Sequence, residues 1–442
     1  MKWHVIISLA ACSLLYAQAP EWVFAQAPEL GVEDAVQAAL AQQPMLKAVE
    51  ERSRAAEAKV SQAKLDRVGK LETDALYTPE QKVMQGDLVG TLLDIRMLRK
   101  YSTQATFTQP LWTWGALSNA YASAKAMAKA DRQNLTRAQQ QTVFEARKAY
   151  FLAAQASEAV AVAEQNLEQQ KSFLETARAR VRSGAAARLD ELKAELAVSN
   201  AESDLLEARN RDRLAKEALV TVTSDARFRD ARLNHLAADE SPLPAEAEAI
   251  DLALKHRPDL ATLRSQADAL NLGAKAARAS GRPFLSFRAS ITQQDDRAAD
   301  VFNPDSQPTD FLRNHQTYQA GLVLSWEATG PFRARAKAAE ISANERSVRD
   351  AAKATEEQVA LEVRSALFNA QEARERARVQ TQAVAVAEEQ ARVARLAYRE
   401  GLITSVELQE AELGLTAARF NRLRAHLDAA LAQANLKFTL GE

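Results

Sequence analysis

Cysteine occurs once in 442 residues, at Cys12. That position lies in an N-terminal targeting segment, so the mature chain is expected to carry no thiol, which fits an oxidising compartment. Glycine (13) and proline (12) are scarce, a shortage that favours long uninterrupted helices. The five histidines, His4, His235, His256, His315 and His426, are scattered and have no metal-ligand spacing. No P-loop, nucleophile elbow or dinucleotide fingerprint occurs, and carboxylate pairs arise by chance in helices this rich in Glu. Neither catalysis nor a bound metal or cofactor is expected. The net charge is −1 with the two signs well mixed, so there is no nucleic-acid footprint. The one apolar run, Val5 to Tyr16, is shorter than the about 20 residues a membrane helix needs. The mature chain therefore reaches a membrane by strands or not at all. What is present, 47% hydrophobic and 26% charged residues, argues against long disordered stretches.

Residues 1–25 read as a secretory signal: Lys2 supplies the positive start, Val5 to Tyr16 the apolar core, and Val23-Phe24-Ala25 the small-residue cleavage site. Leu9-Ala10-Ala11-Cys12 matches a lipobox and offers a competing reading, with Cys12 as a lipidated first residue.

The chain is written twice. Leu40, Pro44 and Leu46 correspond to Leu254, Pro258 and Leu260 at an offset of 214. Leu71 to Ala75 falls on Leu285 to Ala289 at the same offset. Past the next loop the offset becomes 217: Tyr101 meets Tyr318, Arg182-Ser183-Gly184 meets Arg399-Glu400-Gly401, and Ala194-Glu195 meets Ala411-Glu412. The expected organisation is a first repeat over 30–219, a linker over 220–247 and a second repeat over 248–442. Each repeat opens with a helix, near Val32 or Glu248, followed by two strands, a long helix, a glycine and another helix. Neither glycine nor proline interrupts the stretches from Ala116 to Ser183 and from Phe332 to Glu400, each long enough for a helix of about 100 Å. Helices of that length need neighbours, as in coiled coils. The seam is read as Leu152, Ala156, Ala159, Ala163 and Leu167.

Strands are expected over 70–78, 101–109, 284–292 and 317–326, with rim loops over 79–100 and 293–316. Tyr318, Ala320, Leu322, Leu324 and Trp326 share one face, against Gln319, Gly321 and Ser325, with Val323 the exception. Leu285, Phe287, Ala289 and Ile291 alternate with Ser286, Arg288 and Ser290. Tyr101, Thr103, Ala105 and Phe107 alternate with Ser102, Gln104, Thr106 and Thr108; Leu71 to Tyr77 is the weakest, with Leu76 out of pattern. Apolar-out, polar-in alternation over about 10 residues is the pattern of a membrane barrel, and a soluble sheet with one buried face shares it. Aromatics near strand ends, Tyr77, Tyr101, Trp112, Trp114, Tyr318 and Trp326, fit an interfacial girdle. Four strands cannot close a barrel, and an open edge in lipid leaves backbone groups unpaired at several kcal/mol each. Other copies must complete the sheet, and because an 8-stranded barrel is filled by its own side chains, a conduit needs at least three.

Three motifs then carry a resemblance: Thr108-Gln109-Pro110-Leu111-Trp112-Thr113-Trp114-Gly115-Ala116 at a strand-to-helix junction, Tyr398-Arg399-Glu400-Gly401-Leu402 with Val406-Glu407-Leu408 and Ala411-Glu412 at the second hairpin, and the ending Leu436 to Gly441. In this order, duplicated and behind a signal peptide, they make the chain resemble the TolC-like outer membrane efflux family over about residues 30 to 442. The resemblance implies a mainly α fold with β: a homotrimer whose 12-stranded barrel in outer-membrane lipid continues into a 12-helix periplasmic tube. It also implies a passive conduit for efflux or type I secretion, working with a periplasmic adaptor and an inner-membrane pump. The tips around Arg182, Ser183, Gly184 and Ala185, and around Arg399, Glu400, Gly401 and Leu402, are the expected adaptor contacts. In related channels acidic residues just past the second hairpin glycine ring the constriction; the matching positions are Glu407 and Glu410, three apart on one helix face. Family gates also tie an Arg two residues past the glycine to an acidic residue and a Tyr. Asp190 and Tyr398 match the latter two, but the Arg position is Ile403, which leaves the nearby Arg188 as the substitute. The competing class is a periplasmic coiled-coil adaptor or scaffold, which would carry one hairpin between Gly-rich β-domains rather than two hairpins with barrel-type strands.

Overall fold

A computed structural model describes residues 29–78, 81–88, 91–234, 242–298 and 315–442. The signal-peptide and Cys12 readings fall outside the described residues, as does the 299–314 part of the rim loop expected over 293–316; the ends of that loop, 293–298 and 315–316, are instead strand, belonging to Phe284–Ala298 and His315–Ser325. Two short parallel strands, β1 (Glu29–Leu30) and β5 (Arg232–Leu233), pair with each other. Helices α1 (Val32–Gln42) and α2 (Pro44–Leu65) open the first half, and α5 (Glu246–His256) and α6 (Pro258–Ser280) open the second. Both pairs break in the same way. Pro44 and Pro258 stand at the first helical position, and the residues before them, Gln43 (φ −62, ψ 121) and Arg257 (φ −66, ψ 120), are extended. Proline supplies a helical φ and excludes its predecessor from the helical region.

Four large strands follow these helices: β2 (Lys70–Thr78), β4 (Thr91–Trp112), β6 (Phe284–Ala298) and β7 (His315–Ser325), with β3 (Gln81–Leu88) between the first two. The order is β2-β4-β6-β7, all antiparallel, and β3 pairs with the far half of β4. Since β2 takes Thr108 back to Lys100 of β4 and β3 takes Met97 back to Thr91, the two share one lane. This corrects the expected loop over 79–100: most of it is a hairpin that prolongs β4 to 22 residues. A membrane strand needs about 9–11 residues, so the hairpin outruns a bilayer. The register also puts the alternation in phase across the sheet. Leu71, Phe107, Ala289 and Ala320 form one rung, and Ala105, Ile291 and Tyr318 share the same face. Lys70, Thr108, Arg288 and Gly321 form a rung on the opposite face, as do Glu72, Thr106, Ser290 and Gln319. Opposed residues of a pair project to one side, so the sheet has an apolar and a polar face.

Two long hairpins complete the chain: α3 (Ala116–Arg182) with α4 (Arg188–Thr223), and α7 (Gly330–Arg399) with α8 (Ser405–Leu440). α3 also packs on α8, which makes the lateral order α4-α3-α8-α7; nearer the sheet, α6 sits between α3 and α7, and α2 flanks α3. The buried seam of α3 runs Ala146, Ala149, Ala153, Ala156, Ala163, Leu174, Ala177, and that of α7 runs Val363, Ala366, Ala370, Ala373, Ala377, Val384, Ala391. Both keep steps of three and four residues or sums of the two, as a coiled-coil seam does. Leu152, expected in the seam, is exposed, and Ala159 and Leu167 are only half-buried. The buried stripe uses the smaller residues, because alanine lets two backbones approach closely while leucine on the flank faces outward.

The stretch expected as a linker, 220–247, is largely built. α4 continues to Thr223, a 3-10 turn (Ala226–Arg229) buries Phe228 completely, and β5 pairs with β1. Tyr150 of α3 secures this ribbon: its hydroxyl donates to the Leu30 carbonyl (2.9 Å) and accepts from the Asn234 amide (2.9 Å). The C-terminus is held nearby, where Gln140 donates to the Gly441 carbonyl (2.6 Å) and the Arg137 guanidinium lies 3.8 Å from the centre of the Phe438 ring.

Candidate functional site at the hairpin tips

Both turns are the same motif. Gly184 (φ +75) and Gly401 (φ +77) sit in the left-handed region that glycine adopts without strain. Ala185 donates to the Arg180 carbonyl (2.9 Å) and Gly184 to that of Val181 (3.0 Å); Leu402 donates to the Ala397 carbonyl (2.9 Å) and Gly401 to that of Tyr398 (3.0 Å). These are the two bonds of a Schellman ending, which satisfies helix carbonyls that the last turn leaves free. The tip residues Arg182, Ser183, Gly184, Ala185, Arg399, Glu400, Gly401 and Leu402 are all exposed.

Behind the tips the two hairpins are bonded to each other. Arg180, in the last turn of α3, donates to the Tyr398 carbonyl, and its guanidinium lies 4.6 Å from the Tyr398 ring centre. Ser405, opening α8, donates to Asp190 in the first turn of α4 (2.6 Å). Tyr398 is 4% exposed and packs at 5.7 Å from the Phe173 ring. Its hydroxyl is buried without a hydrogen-bond partner among the described residues. Burial pushes its pKa up, with Arg180 opposing, so it stays a phenol. A cavity of about 270 Å³ adjoins it between α3, α7 and α8, bordered by Gln169, Thr176, Arg395 and Glu412.

The expected latch residues are thus not bonded as expected. Asp190 accepts from Ser405 rather than from Arg188, and reaches Tyr398 only through its charge. Arg188 turns back to Glu191 on its own helix. The guanidinium at Tyr398 comes from Arg180, which is not among the expected residues. One signal existed in the repeat: the offset of 217 sets Arg180 against Ala397 and Val181 against Tyr398, so the halves diverge where they touch.

The same offset carries a pair of repeated ion pairs. Arg178 binds Glu195 (3.1 Å) across the first hairpin, and Arg395 binds Glu412 through both nitrogens across the second. The Glu412 side chain is 9% exposed and that of Glu195 39%. Glu412 holds the Arg395 pKa up, mainly through the hydrogen bonds.

Glu407 and Glu410 lie in the opening turns of α8, both exposed. Glu407 has a local task. Its carboxylate accepts from the Thr404 amide (2.7 Å) and hydroxyl (2.8 Å), while Thr404 Oγ1 accepts from the Glu407 amide (3.3 Å). This capping box holds the Glu407 carboxyl below the usual carboxylate range, first through the Thr404 amide. Glu410 has no ion-pair or hydrogen-bond partner among the described residues and projects freely. No group of three or more His, Cys, Asp or Glu among the described residues could hold a metal ion.

The arrangement is therefore a pair of bonded helix tips with exposed glycine turns and acidic residues beside them, at the end of helices about 100 Å long that begin at a sheet with one apolar and one polar face. The fold is shared with solved structures of membrane proteins, among them the outer-membrane channel OprN. CusC matches at 18% identity over 93% of this chain and 92% of its own, with a TM-score of 0.75. OprN matches at 19% over 93% and 89%, TM-score 0.76. The outer membrane protein VceC of Vibrio cholerae matches at 20% over 93% and 96%, TM-score 0.74. No curated protein matches the chain in sequence. The family model for outer membrane efflux proteins matches twice, over residues 35–224 and 249–442, which together take in both halves of the repeat, and the chain belongs to that outer membrane efflux protein family.

Proposed function

We propose that the chain is one protomer of a homotrimeric outer-membrane channel, a passive conduit of a tripartite efflux or type I secretion system. The observation that carries this is the open sheet. β2 and β7 are both edges, and the apolar face between them includes Leu71, Phe107, Ile291, Leu322 and Leu324. In lipid such edges must pair, and β7 of one copy against β2 of the next does so in a ring. Three copies of four lanes give a 12-stranded barrel with the polar face inward. The helices support the same ring. α4 and α7 bound the layer, and both expose apolar stripes at coiled-coil spacing: Leu189, Leu192 and Leu196 on one, Val379, Val386 and Val393 on the other.

The tips then form the periplasmic mouth. Gly184, Gly401 and their neighbours are the docking points for a periplasmic adaptor that connects to an inner-membrane pump. Arg180–Tyr398 and Ser405–Asp190 hold adjacent hairpins together in the closed state, and Glu407 with Glu410 set six carboxylates around the axis. Mass photometry in detergent tests the assembly: a trimer is expected, and a stable monomer defeats both barrel and channel.

A further inference from the structure

The polar face of the sheet carries four ionisable side chains among those described: Lys70, Glu72, Asp74 and Arg288. Lys70 and Glu72 form an ion pair on β2 and neutralise each other. Arg288, on β6, is exposed and makes no ion pair among the described residues. Its rung is Lys70–Thr108–Arg288–Gly321, so its neighbours are the neutral Thr108 and a glycine with open space where a Cβ would be. Asp74 stands on the rung of Gln104, Thr292 and Thr317. That is four residues along and two strands across from Arg288, about 16 Å at ordinary strand spacings. The screening length at physiological salt is about 8 Å, so Asp74 does not neutralise Arg288.

We propose that Arg288 forms a ring of three unpaired guanidiniums inside the barrel, near its junction with the helical tube, and that this ring binds oxyanionic groups, phosphate or carboxylate, of solutes in the bore. The inference rests on the trimeric channel reading. Twelve strands tilted by about 40° enclose a backbone diameter of about 24 Å. A guanidinium reaching about 6 Å inward lies about 10 Å from its two symmetry mates, close to the screening length, so their fields overlap on the axis. Guanidinium matches phosphate and carboxylate with paired donors, and the opposing Gly321 leaves it room to swing. The bore then has opposite signs at its two ends of the tube: carboxylates at the mouth, a basic ring at the barrel.

The test is planar-bilayer recording with sodium tripolyphosphate added on the barrel side. Reversible block of the wild-type pore is expected, weakened at least tenfold in Arg288→Gln, kept in Arg288→Lys and unaffected by Asp74→Asn. A wild-type pore that tripolyphosphate does not block, or equal block in Arg288→Gln, overturns the ring while leaving the channel reading intact. A protein that inserts but gives no ohmic pore overturns the channel reading and the ring with it.

Discussion

Arg180 and Tyr398 lie 218 positions apart, yet the guanidinium of the first sits 4.6 Å from the ring centre of the second and donates to its carbonyl. That carbonyl also accepts from Gly401, so one atom ties the second turn to the first hairpin. A charge-assisted hydrogen bond with a partly desolvated cation–π contact is worth about 1–3 kcal/mol. Arg180→Ala should therefore shift the closed-to-open balance by about tenfold or more at 1.4 kcal/mol per decade. Single-channel conductance should rise, and Arg188→Ala should leave it unchanged. A larger effect from Arg188 than from Arg180 would assign the latch to the wrong residue.

The two acidic residues past the second turn are separable. Glu407→Gln removes a capping carboxylate as well as a charge, whereas Glu410→Gln removes only a charge. Recording in a salt gradient should show reduced cation selectivity and weaker divalent block for Glu410→Gln alone, and more so for the double variant. Selectivity unchanged in the double variant would mean that the carboxylates do not line the constriction.

Acid should loosen the start of α8 late. The Glu407 carboxyl is held below its usual range by the Thr404 amide, so its contribution is fully present above the unfolded-state pKa. It is lost only as pH falls through the lower folded value. Hydrogen-exchange protection of the first turn of α8 should persist to pH 5 and fall below the normal carboxylate range, and Glu407→Gln should remove this pH dependence. Loss of protection near neutral pH would contradict the sign.

The glycine turns should not respond alike. A Cβ at Gly184 meets nothing within 4 Å, while one at Gly401 comes within 3.6 Å of the Arg180 guanidinium. Valine at either position strains a left-handed backbone by about 1–2 kcal/mol. Both variants should keep the trimer and lose efflux in cells, but only Gly401→Val should also raise single-channel conductance. Unchanged efflux in both would exclude docking at these turns.

The repeated ion pairs should differ in weight. Glu412 is largely buried and Glu195 is not, so Glu412→Ala strips a partner from Arg395 in a drier setting. Removing one member of a buried pair costs several times what an exposed pair contributes. The thermal midpoint of the trimer should fall further for Glu412→Ala than for Glu195→Ala; the reverse order would refute the ranking.

Much of this protein follows from residues close together in the chain. Pro44 and Pro258 dictate the helix breaks, Gly184 and Gly401 the turns, and the alternation over Leu285 to Ile291 a two-faced strand, because φ preferences and side-chain periods act locally. The duplication made the two halves legible together. Other features depend on tertiary packing. The alternation of Tyr101 to Thr108 is that of a strand, and pairing with β3 extends it to 22 residues through Leu93, Ile95 and Met97, which alternate with Asp94 and Arg96 in the stretch expected as a loop. The seam of α3 was legible at Ala156 and Ala163, but the structure also buries Ala149 and Ala153 and leaves Leu152, about 100° round the helix from Ala153, on the exposed flank. The side-by-side placement of α3 and α7 near the turns brings Arg180 of α3, and not Arg188 of α4, to Tyr398. It is set by how alanine-lined helices close against one another over their whole length, and no short stretch of sequence contains it.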